Sequence, residues 1–272
     1  MTKSARLEFW GVRGTMPVSG RGYRKYGGHT LCASLRRPGT NPLVVDAGTG
    51  IKRLGDRLME DSRGAKLEIT LLMTHFHLDH ILGFPFFAPL YSPDVSLTVL
   101  APARPTETRR FLSSLMGGRL FPVTFIETPC RKKIKELVRG EFSIGPYRIA
   151  SCPLKHPQGS VAYRIRDEAL DVVFSTDTEH PPRGVDKKLA RFIEGTDRLI
   201  YDATFTLDEY ENRRRGWGHS TWKAGTELAK AAGAGKLLLS HFSPDYRDDV
   251  LDEIVGSARA EFAGTSAAKE RE

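Results

Sequence analysis

Short runs of apolar and β-branched residues recur along the chain, most of them four to seven residues long. Turn-forming residues such as Gly, Pro, Asn and Asp separate many of these runs, a pattern typical of β-strands. The predicted strands are Leu7–Val12, Leu43–Asp46, Leu67–Met73, Ser96–Leu100, Tyr147–Ser151, Val161–Ile165, Val172–Ser175, Leu199–Asp202 and Leu237–Ser240.

Longer stretches fit the period of an amphipathic helix, with apolar residues at three- and four-residue spacings. The predicted helices are Thr106–Met116, Asp186–Ile193, Thr221–Ala232 and Asp248–Phe262. Strands and helices therefore interleave, which favours an α/β fold. Near-continuous apolar strands, such as the one ending at Met73, are typical of sheets buried on both faces, as when two sheets pack together with helices outside.

The length of 272 residues fits one large domain, which we expect to span residues 1–262. Residues 263–272 are all small or charged, and we expect them to form a disordered tail. Charges occupy the place of a signal peptide's apolar segment, and no run approaches the roughly 18 apolar residues of a membrane span. These features predict a cytoplasmic protein without a membrane partner, whose oligomeric state stays open.

The net charge of +8, from 41 basic and 33 acidic residues, favours anionic ligands but is also common among proteins that bind none. The three cysteines are scattered, without the Cys-x-x-Cys spacing of a zinc knuckle or redox pair. We expect them to be buried thiols.

The strongest local signal is the stretch Thr74-His75-Phe76-His77-Leu78-Asp79-His80, directly after a predicted strand. In extended geometry His75 and His77 point to the same side, and a turn then brings Asp79 and His80 nearby. Solvated loop histidines are the plain alternative, but packing does not explain three imidazoles and a carboxylate in six residues. The stretch therefore predicts two adjacent metal sites.

Further polar residues of the same chemistry follow other predicted strands or loops: His156, Asp177, His219 and His241. With Asp46 in Asp-Ala-Gly-Thr-Gly, they resemble the five ordered motifs of the metallo-β-lactamase superfamily. The match runs from about Asp46 to Ser243. The resemblance implies a four-layer αββα sandwich with the metals at one sheet edge.

By that resemblance, His75, His77 and His156 would hold one metal and Asp79, His80 and His241 the other, while Asp177 would bridge them. Imidazole and carboxylate ligands suit Zn²⁺ best, with Mn²⁺ or Fe²⁺ as alternatives. Two such cations can activate a shared water and stabilise the leaving oxygen. Asp46 is interpreted as support for a ligand, or else as a cap of the following turn.

The motif Gly218-His219-Ser220-Thr221 resembles that of the ribonuclease Z and phosphodiesterase branch, which supplies a histidine that is not a ligand. His219 is the candidate general acid for the departing alkoxide, acting beside Asp79 and Asp177, which would position the attacking water. A histidine hydrogen-bonded to backbone is the plain alternative. The carboxylates available to orient His219 are Glu179 and Asp202.

Other stretches resemble a bacterial group of cyclic-nucleotide phosphodiesterase-like proteins: Phe9-Trp-Gly-Val-Arg-Gly-Thr-Met-Pro, Tyr26-Gly-Gly-His-Thr, Thr176-Asp-Thr-Glu-His and Gly216-Trp-Gly-His-Ser-Thr-Trp. The stretch Ser240-His-Phe-Ser-Pro departs from that group's His-His-Asp-Pro and looks more like ribonuclease Z. Only 21 positions separate His156 from Asp177, which leaves no room for the long transfer-RNA-binding arm of ribonuclease Z.

The basic cluster Arg213-Arg214-Arg215 is either a solvated surface or a phosphate-binding element. We expect Arg215 to bind substrate phosphate and Trp217 either to stack on a base or to pack against the sheet. The leading prediction is a two-metal phosphodiesterase for small anionic substrates such as cyclic nucleotides. The alternatives are a ribonuclease Z-like endoribonuclease without the arm, a thioester or lactone hydrolase, and a non-catalytic metal sensor; RNA is a less favoured partner.

Overall fold

The structure is a computed structural model that describes residues 5–138 and 140–271. Within these residues the chain divides into two compact units. The first comprises residues 5–11, 29–138 and 270–271, and the second comprises residues 12–28 and 140–269. Each unit has one β-sheet and its own helices, so the predicted single domain over residues 1–262 stays a prediction.

The sheet of the first unit has six strands in the spatial order of the sequence. They are β1 (Arg6–Gly11), β2 (Cys32–Arg36), β3 (Leu43–Val45), β4 (Leu67–Leu72), β5 (Val95–Ala101) and β6 (Arg131–Glu136). β1, β2 and β3 pair antiparallel, whereas β3 to β6 pair parallel. The parallel pairing aligns Val45 with Leu72, so the loops after β3 and β4 leave the same edge of the sheet.

The first unit has three α-helices, α1 (Ile51–Ser62), α2 (Leu78–Ile81) and α3 (Pro105–Ser114), and short 3-10 helices at Phe84–Phe86 and Ala88–Tyr91. Buried Ile51, Leu54 and Leu58 form the inner face of α1, which packs against β1 and the 3-10 helices. The helix ends at Arg63, which adopts a left-handed conformation. The core of this unit is continuous from Trp10 to Cys130.

The sheet of the second unit has seven strands in the order β13-β12-β11-β10-β9-β8-β7. They are β7 (Glu141–Ile144), β8 (Tyr147–Leu154), β9 (Ser160–Arg166), β10 (Asp171–Ser175), β11 (Arg198–Asp202), β12 (Lys236–Ser240) and β13 (Thr265–Ala267). β7 to β10 pair antiparallel and β10 to β13 pair parallel. The carboxyl ends of β10, β11 and β12 therefore lie at one edge.

The helices of the second unit are α4 (Lys187–Ile193), α5 (Leu207–Glu209), α6 (Trp222–Ala232) and α7 (Asp248–Glu261), with a π-helix at Tyr210–Arg214 and a 3-10 helix at Arg21–Tyr23. α6 packs against β11 and β12, and α7 packs against β13. The Thr221 hydroxyl accepts from the Ala224 backbone N–H and caps the start of α6. No described helix is both long enough and apolar enough to cross a membrane.

All nine predicted strands and all four predicted helices are confirmed within a few residues at their ends. The predicted disordered tail over residues 263–272 is wrong for residues 263–271, because residues 265–267 form β13 alongside β12. Glu270 then pairs with Phe9, and the Arg271 N–H donates to the Phe9 carbonyl over 2.8 Å. Backbone pairing in the fold stabilises this segment despite its weak apolar pattern. The three cysteines are buried and free, as predicted.

Candidate metal centre and its supporting residues

Three candidate site residues have left-handed backbone conformations within two residues of a strand end. Asp46, Asp177 and His241 have φ angles of 59°, 58° and 58°. A non-glycine residue in this region costs roughly 1–3 kcal/mol and persists only where the surroundings enforce it. At these three strand ends the backbone therefore adopts a strained conformation that sets the direction of the side chain.

The first unit gathers the histidines of the central motif. The ring of His75 lies 4.5 Å from that of His77 and 4.2 Å from that of His80, measured between centroids. The Asp79 Oδ2 lies 3.5 Å from His80 Nε2. His75, Asp79 and His80 are buried and His77 is partly buried. Such closely packed imidazoles with a carboxylate fit a site for a cation.

Asp46 supports this cluster through both carboxylate oxygens. Its Oδ1 accepts from the Thr74 backbone N–H over 2.8 Å, and its Oδ2 accepts from the Thr74 hydroxyl over 2.8 Å. His80 Nδ1 also donates to Oδ2 over 2.8 Å. This bond fixes the tautomer that leaves the lone pair on His80 Nε2, the arrangement typical of metal-binding histidines. The contacts favour ligand support over capping of the following turn.

The tautomer of His75 is fixed in a similar way, by a hydrogen bond at Nδ1. Because the Thr74 hydroxyl donates to Asp46, it accepts from His75 Nδ1, which lies 3.1 Å away. The lone pair of the neutral His75 ring is then on Nε2. Asp46, Thr74 and the two imidazoles thus form one buried hydrogen-bonded chain that sets the orientation of both rings.

The second unit gathers the remaining candidates around Asp177. Asp177 Oδ1 lies 3.2 Å from His241 Nε2 and 3.9 Å from His156 Nε2, and all three side chains are almost fully buried. His156 Nδ1 donates to the Gly218 carbonyl over 2.7 Å. His241 Nδ1 lies 2.9 Å from the hydroxyl of Thr204, which itself donates to a carboxylate or carbonyl oxygen. Both rings therefore present Nε2 towards Asp177.

Asp202, at the end of β11, is the carboxylate that orients His219. His219 Nδ1 donates to Asp202 Oδ2 over 2.9 Å, and the same oxygen accepts from the Asp177 backbone N–H over 2.9 Å. Burial alone raises the pKa of Asp202, but the His219 imidazole, its hydrogen bond and His241 outweigh burial and hold the pKa below its ordinary value. The ring of His219 stacks on that of His241 at 5.0 Å.

Glu179 has a different role, which the sequence did not reveal. Its Oε1 accepts from the Gly216 N–H over 2.8 Å and from the Tyr210 hydroxyl over 3.1 Å, and its Oε2 accepts from the Gly218 N–H over 3.2 Å. Burial raises the pKa of Glu179, but these donors and the charge of Lys155 together lower it below its ordinary value. Glu179 thus fixes the loop over residues 215–218, whose Gly218 carbonyl accepts from His156.

The two predicted substrate contacts lie on this loop. The Trp217 side chain is 55% exposed, with the guanidinium of Arg214 at 4.3 Å from its ring centroid. Arg215 instead pairs with Glu211 one helical turn earlier. The substrate-binding roles of Trp217 and Arg215 stay predictions.

Gly14 contacts a candidate ligand, and sequence reasoning missed it although the stretch containing it was noted for its resemblance. A Cβ at Gly14 would lie 2.2 Å from Cε1 and 2.4 Å from Nδ1 of His241. The backbone at this point is fixed, because the Gly14 N–H donates to the Phe242 carbonyl over 3.0 Å and buried Arg13 donates to the Tyr246 carbonyl over 2.6 Å.

We therefore expect Gly14→Ala to displace the His241 imidazole and lower zinc affinity about 10–100-fold, the usual cost of disturbing a ligand's support. Competition with a chromophoric chelator measures the affinity. Gly256→Ala is the matched control, because a Cβ at this position of α7 meets nothing within 4 Å. Equal affinity of the two variants would show that His241 does not hold a metal.

Comparisons with known proteins identify the family and the fold. The family model described as "Beta-lactamase superfamily domain" matches residues 41–242. A protein named Ribonuclease Z from Bradyrhizobium sp. (strain ORS 278) is 28% identical over 282 residues, covering 87% of this chain and 90% of that protein.

Two solved structures share the fold over nearly the whole chain. The metallo-beta-lactamase fold protein YhfI from Bacillus subtilis gives a TM-score of 0.73 at 22% identity, covering 98% of this chain and 97% of that one. A diphosphatase from the PhnP family gives a TM-score of 0.66 at 16% identity, covering 98% of this chain and 95% of that one. The predicted α/β fold of the metallo-β-lactamase class is therefore confirmed.

Proposed function

The chain belongs to the beta-lactamase superfamily domain family, and from that membership we propose that it hydrolyses phosphodiesters with two divalent metal ions, small diesters such as cyclic nucleotides being the first candidates. At the coarser level it is a hydrolase of the metallo-β-lactamase fold. The observation that carries the phosphodiester proposal is the His219–Asp202 pair, since His219 Nδ1 lies 2.9 Å from Asp202 and 4.0 Å from Asp177.

The donor set of each unit fits a divalent cation. His75, His80, His156 and His241 each have an Nδ1 hydrogen bond that leaves the lone pair on Nε2. By the family resemblance, His75, His77 and His156 would hold one metal, Asp79, His80 and His241 would hold the second, and Asp177 would be a ligand of both. Zn²⁺ is the first choice, because the set contains imidazoles and carboxylates without thiolate. Two bound metals would activate a water and stabilise charge on the diester.

The side chains of the protein would orient the attacking water and supply the proton for the leaving group. Asp177 and Asp79 would position the attacking water by accepting its hydrogen bonds. Asp202 accepts from His219 Nδ1, so in the protonated imidazolium form of His219 the second proton would be on Nε2, from which it would pass to the departing alkoxide and leave a neutral ring that keeps its proton on Nδ1. A thioester needs such a proton donor less, because the thiolate that departs is much less basic than an alkoxide.

A ribonuclease Z-like activity is the second candidate, and the observation favouring it is the relative named Ribonuclease Z that covers 87% of this chain. Against it stands the short segment between His156 and Asp177, which is filled by β9, β10 and the turn between them. RNA cleavage here would therefore proceed without an inserted arm, and weaker binding that depends strongly on salt is expected.

The test is a panel assay of zinc- and manganese-loaded protein, before and after chelation, on bis-p-nitrophenyl phosphate, 3′,5′-cyclic AMP, 2′,3′-cyclic AMP, a precursor transfer RNA and a thioester. We expect diester hydrolysis that disappears on chelation and returns with added metal. Faster cleavage of the precursor RNA than of any small diester would favour the second candidate. Turnover of the thioester alone would overturn the phosphodiester proposal.

A further inference from the structure

The guanidinium of Arg214 lies over two aromatic rings. Its guanidinium carbon lies 4.3 Å from the ring centroid of Trp217 and 5.7 Å from that of Phe205. Stacking uses the flat faces of a guanidinium and leaves the five in-plane N–H donors at its edge for other partners. An arginine held in this way is oriented without an acidic partner.

Within residues 5–138 and 140–271, the side chain of Arg214 makes no ion pair or hydrogen bond with another residue. Its neighbour Arg215 differs, because Glu211 neutralises it at i,i+4 spacing. Arg213 is exposed and, in the part of the chain that the structure describes, lies over no aromatic ring. Of the three consecutive arginines, Arg214 alone combines a fixed orientation with an uncompensated charge.

The Arg214 cluster, which we define as Arg214, Trp217 and Phe205, is joined to the proposed general acid. The ring of Phe205 meets that of His219 edge to face at 5.7 Å between centroids. Trp217 precedes His219 by two residues on the loop fixed by Glu179. A ligand group at the cluster therefore lies one side chain away from the reacting region.

We propose that the Arg214 cluster is the substrate-binding subsite of this hydrolase and takes one nucleotide unit, its phosphate on the edge of Arg214 and its base on the exposed face of Trp217. This assignment rests on the proposed phosphodiesterase function and deepens it. An anionic oxygen satisfies the in-plane donors of Arg214, and a planar base covers the 55% exposed Trp217. Arg214, and not Arg215, is then the residue that recognises the phosphate.

The first test measures binding without turnover. Isothermal titration of the metal-loaded protein would compare adenosine 5′-monophosphate, adenosine, inorganic phosphate and a short oligoribonucleotide in wild type, Arg214→Gln, Trp217→Ala and the control Arg191→Gln. Arg191 is exposed on α4 and serves as a charge-matched control. We expect Arg214→Gln to weaken binding of the monophosphate about tenfold or more, the usual worth of a charge-assisted hydrogen bond.

The other binding measurements distinguish recognition of the phosphate from recognition of the base. Trp217→Ala is expected to remove the preference for the monophosphate over inorganic phosphate, and Arg214→Lys to recover only part of the affinity because an ammonium cannot stack. Tighter binding of the oligoribonucleotide than of the monophosphate would identify RNA as the source of the nucleotide. Tighter binding of the monophosphate would identify a free nucleotide as the ligand. Unchanged affinity in both Arg214→Gln and Trp217→Ala would overturn the subsite.

The second test is kinetic and distinguishes failure of the subsite from failure of the proposed function. The substrates are thymidine 5′-p-nitrophenyl phosphate and the base-free methyl p-nitrophenyl phosphate. We expect Arg214→Gln to raise KM about tenfold with a smaller change in kcat, and Trp217→Ala to affect only the nucleoside diester. Diester turnover with unchanged KM in both variants would reject the subsite alone. Binding that depends on Arg214 without any diester turnover would reject the phosphodiesterase function and keep a nucleotide site.

Discussion

Replacing His219 by alanine is expected to lower kcat for an alkyl phosphodiester about 10²–10⁴-fold, the usual worth of a positioned general acid. The reason is the pair with Asp202, which holds one proton on His219 Nδ1, so that the imidazolium form would donate its other proton from Nε2. Metal content should stay at the wild-type value, because His75, His77, Asp79, His80, His156, Asp177 and His241 are all unchanged. Single-turnover rates and metal analysis on the same samples provide the measurement.

A comparison of substrates with different leaving groups distinguishes proton donation from other roles of His219. A p-nitrophenolate departs without protonation, so we expect His219→Ala to affect bis-p-nitrophenyl phosphate much less than an alkyl diester. Asp202→Asn keeps the shape of the side chain but removes its charge and replaces one acceptor oxygen by an NH₂ donor, so it weakens the hold on the His219 tautomer and should follow the same leaving-group pattern. Equal losses on both substrates in His219→Ala would mean that this histidine positions neighbouring groups and donates no proton.

Most of the fold could be predicted because the buried strands carry apolar runs. The exceptions are instructive. Strand β6 (Arg131–Glu136) has one apolar residue, Ile134, and lies at the edge of its sheet, where lysines commonly protect an open strand. Strand β13 has only three residues and forms because β12 offers a free edge. Helix α1 was missed although Ile51, Leu54 and Leu58 have helical spacing, so its signal was present.

The candidate ligands could be predicted because metal chemistry restricts their residue types and because they follow strands in the sequence. Their supports could not be predicted in the same way. Glu179 and Asp202 were equally available to orient His219, and only the parallel pairing of β10 and β11 brings Asp202 beside the Asp177 backbone. Gly14 carries no side chain, so its contact with His241 leaves no chemical signature in the sequence.

Glu179→Ala is expected to lower both stability and activity, because one carboxylate satisfies three donors. The Gly216 N–H, the Gly218 N–H and the Tyr210 hydroxyl would lose their acceptor, and leaving buried donors unsatisfied costs about 1–3 kcal/mol each when water does not replace the acceptor. Allowing for partial hydration, we expect a loss of about 2–4 kcal/mol in the free energy of unfolding, measured by urea denaturation.

The effect on the site follows from the same loop. The Gly218 carbonyl accepts from His156 Nδ1 over 2.7 Å, and His219 is the next residue. Freeing the loop should therefore lower metal affinity about 10–100-fold and reduce kcat on alkyl diesters as well. Glu211→Ala is the matched control on the neighbouring π-helix, since it removes only an exposed ion pair with Arg215 and should change stability by less than about 1 kcal/mol.

Glu179→Gln distinguishes the loss of hydrogen bonds to the loop from the loss of side-chain packing. The amide keeps one oxygen acceptor and the volume of the side chain, but its NH₂ group meets a donor at Gly216 or Gly218. We therefore expect the melting temperature of Glu179→Gln to lie between those of wild type and Glu179→Ala. Its metal affinity should likewise be intermediate. If Glu179→Gln and Glu179→Ala both bound zinc as wild type does while losing stability, Glu179 would support the fold of the second unit without orienting His156.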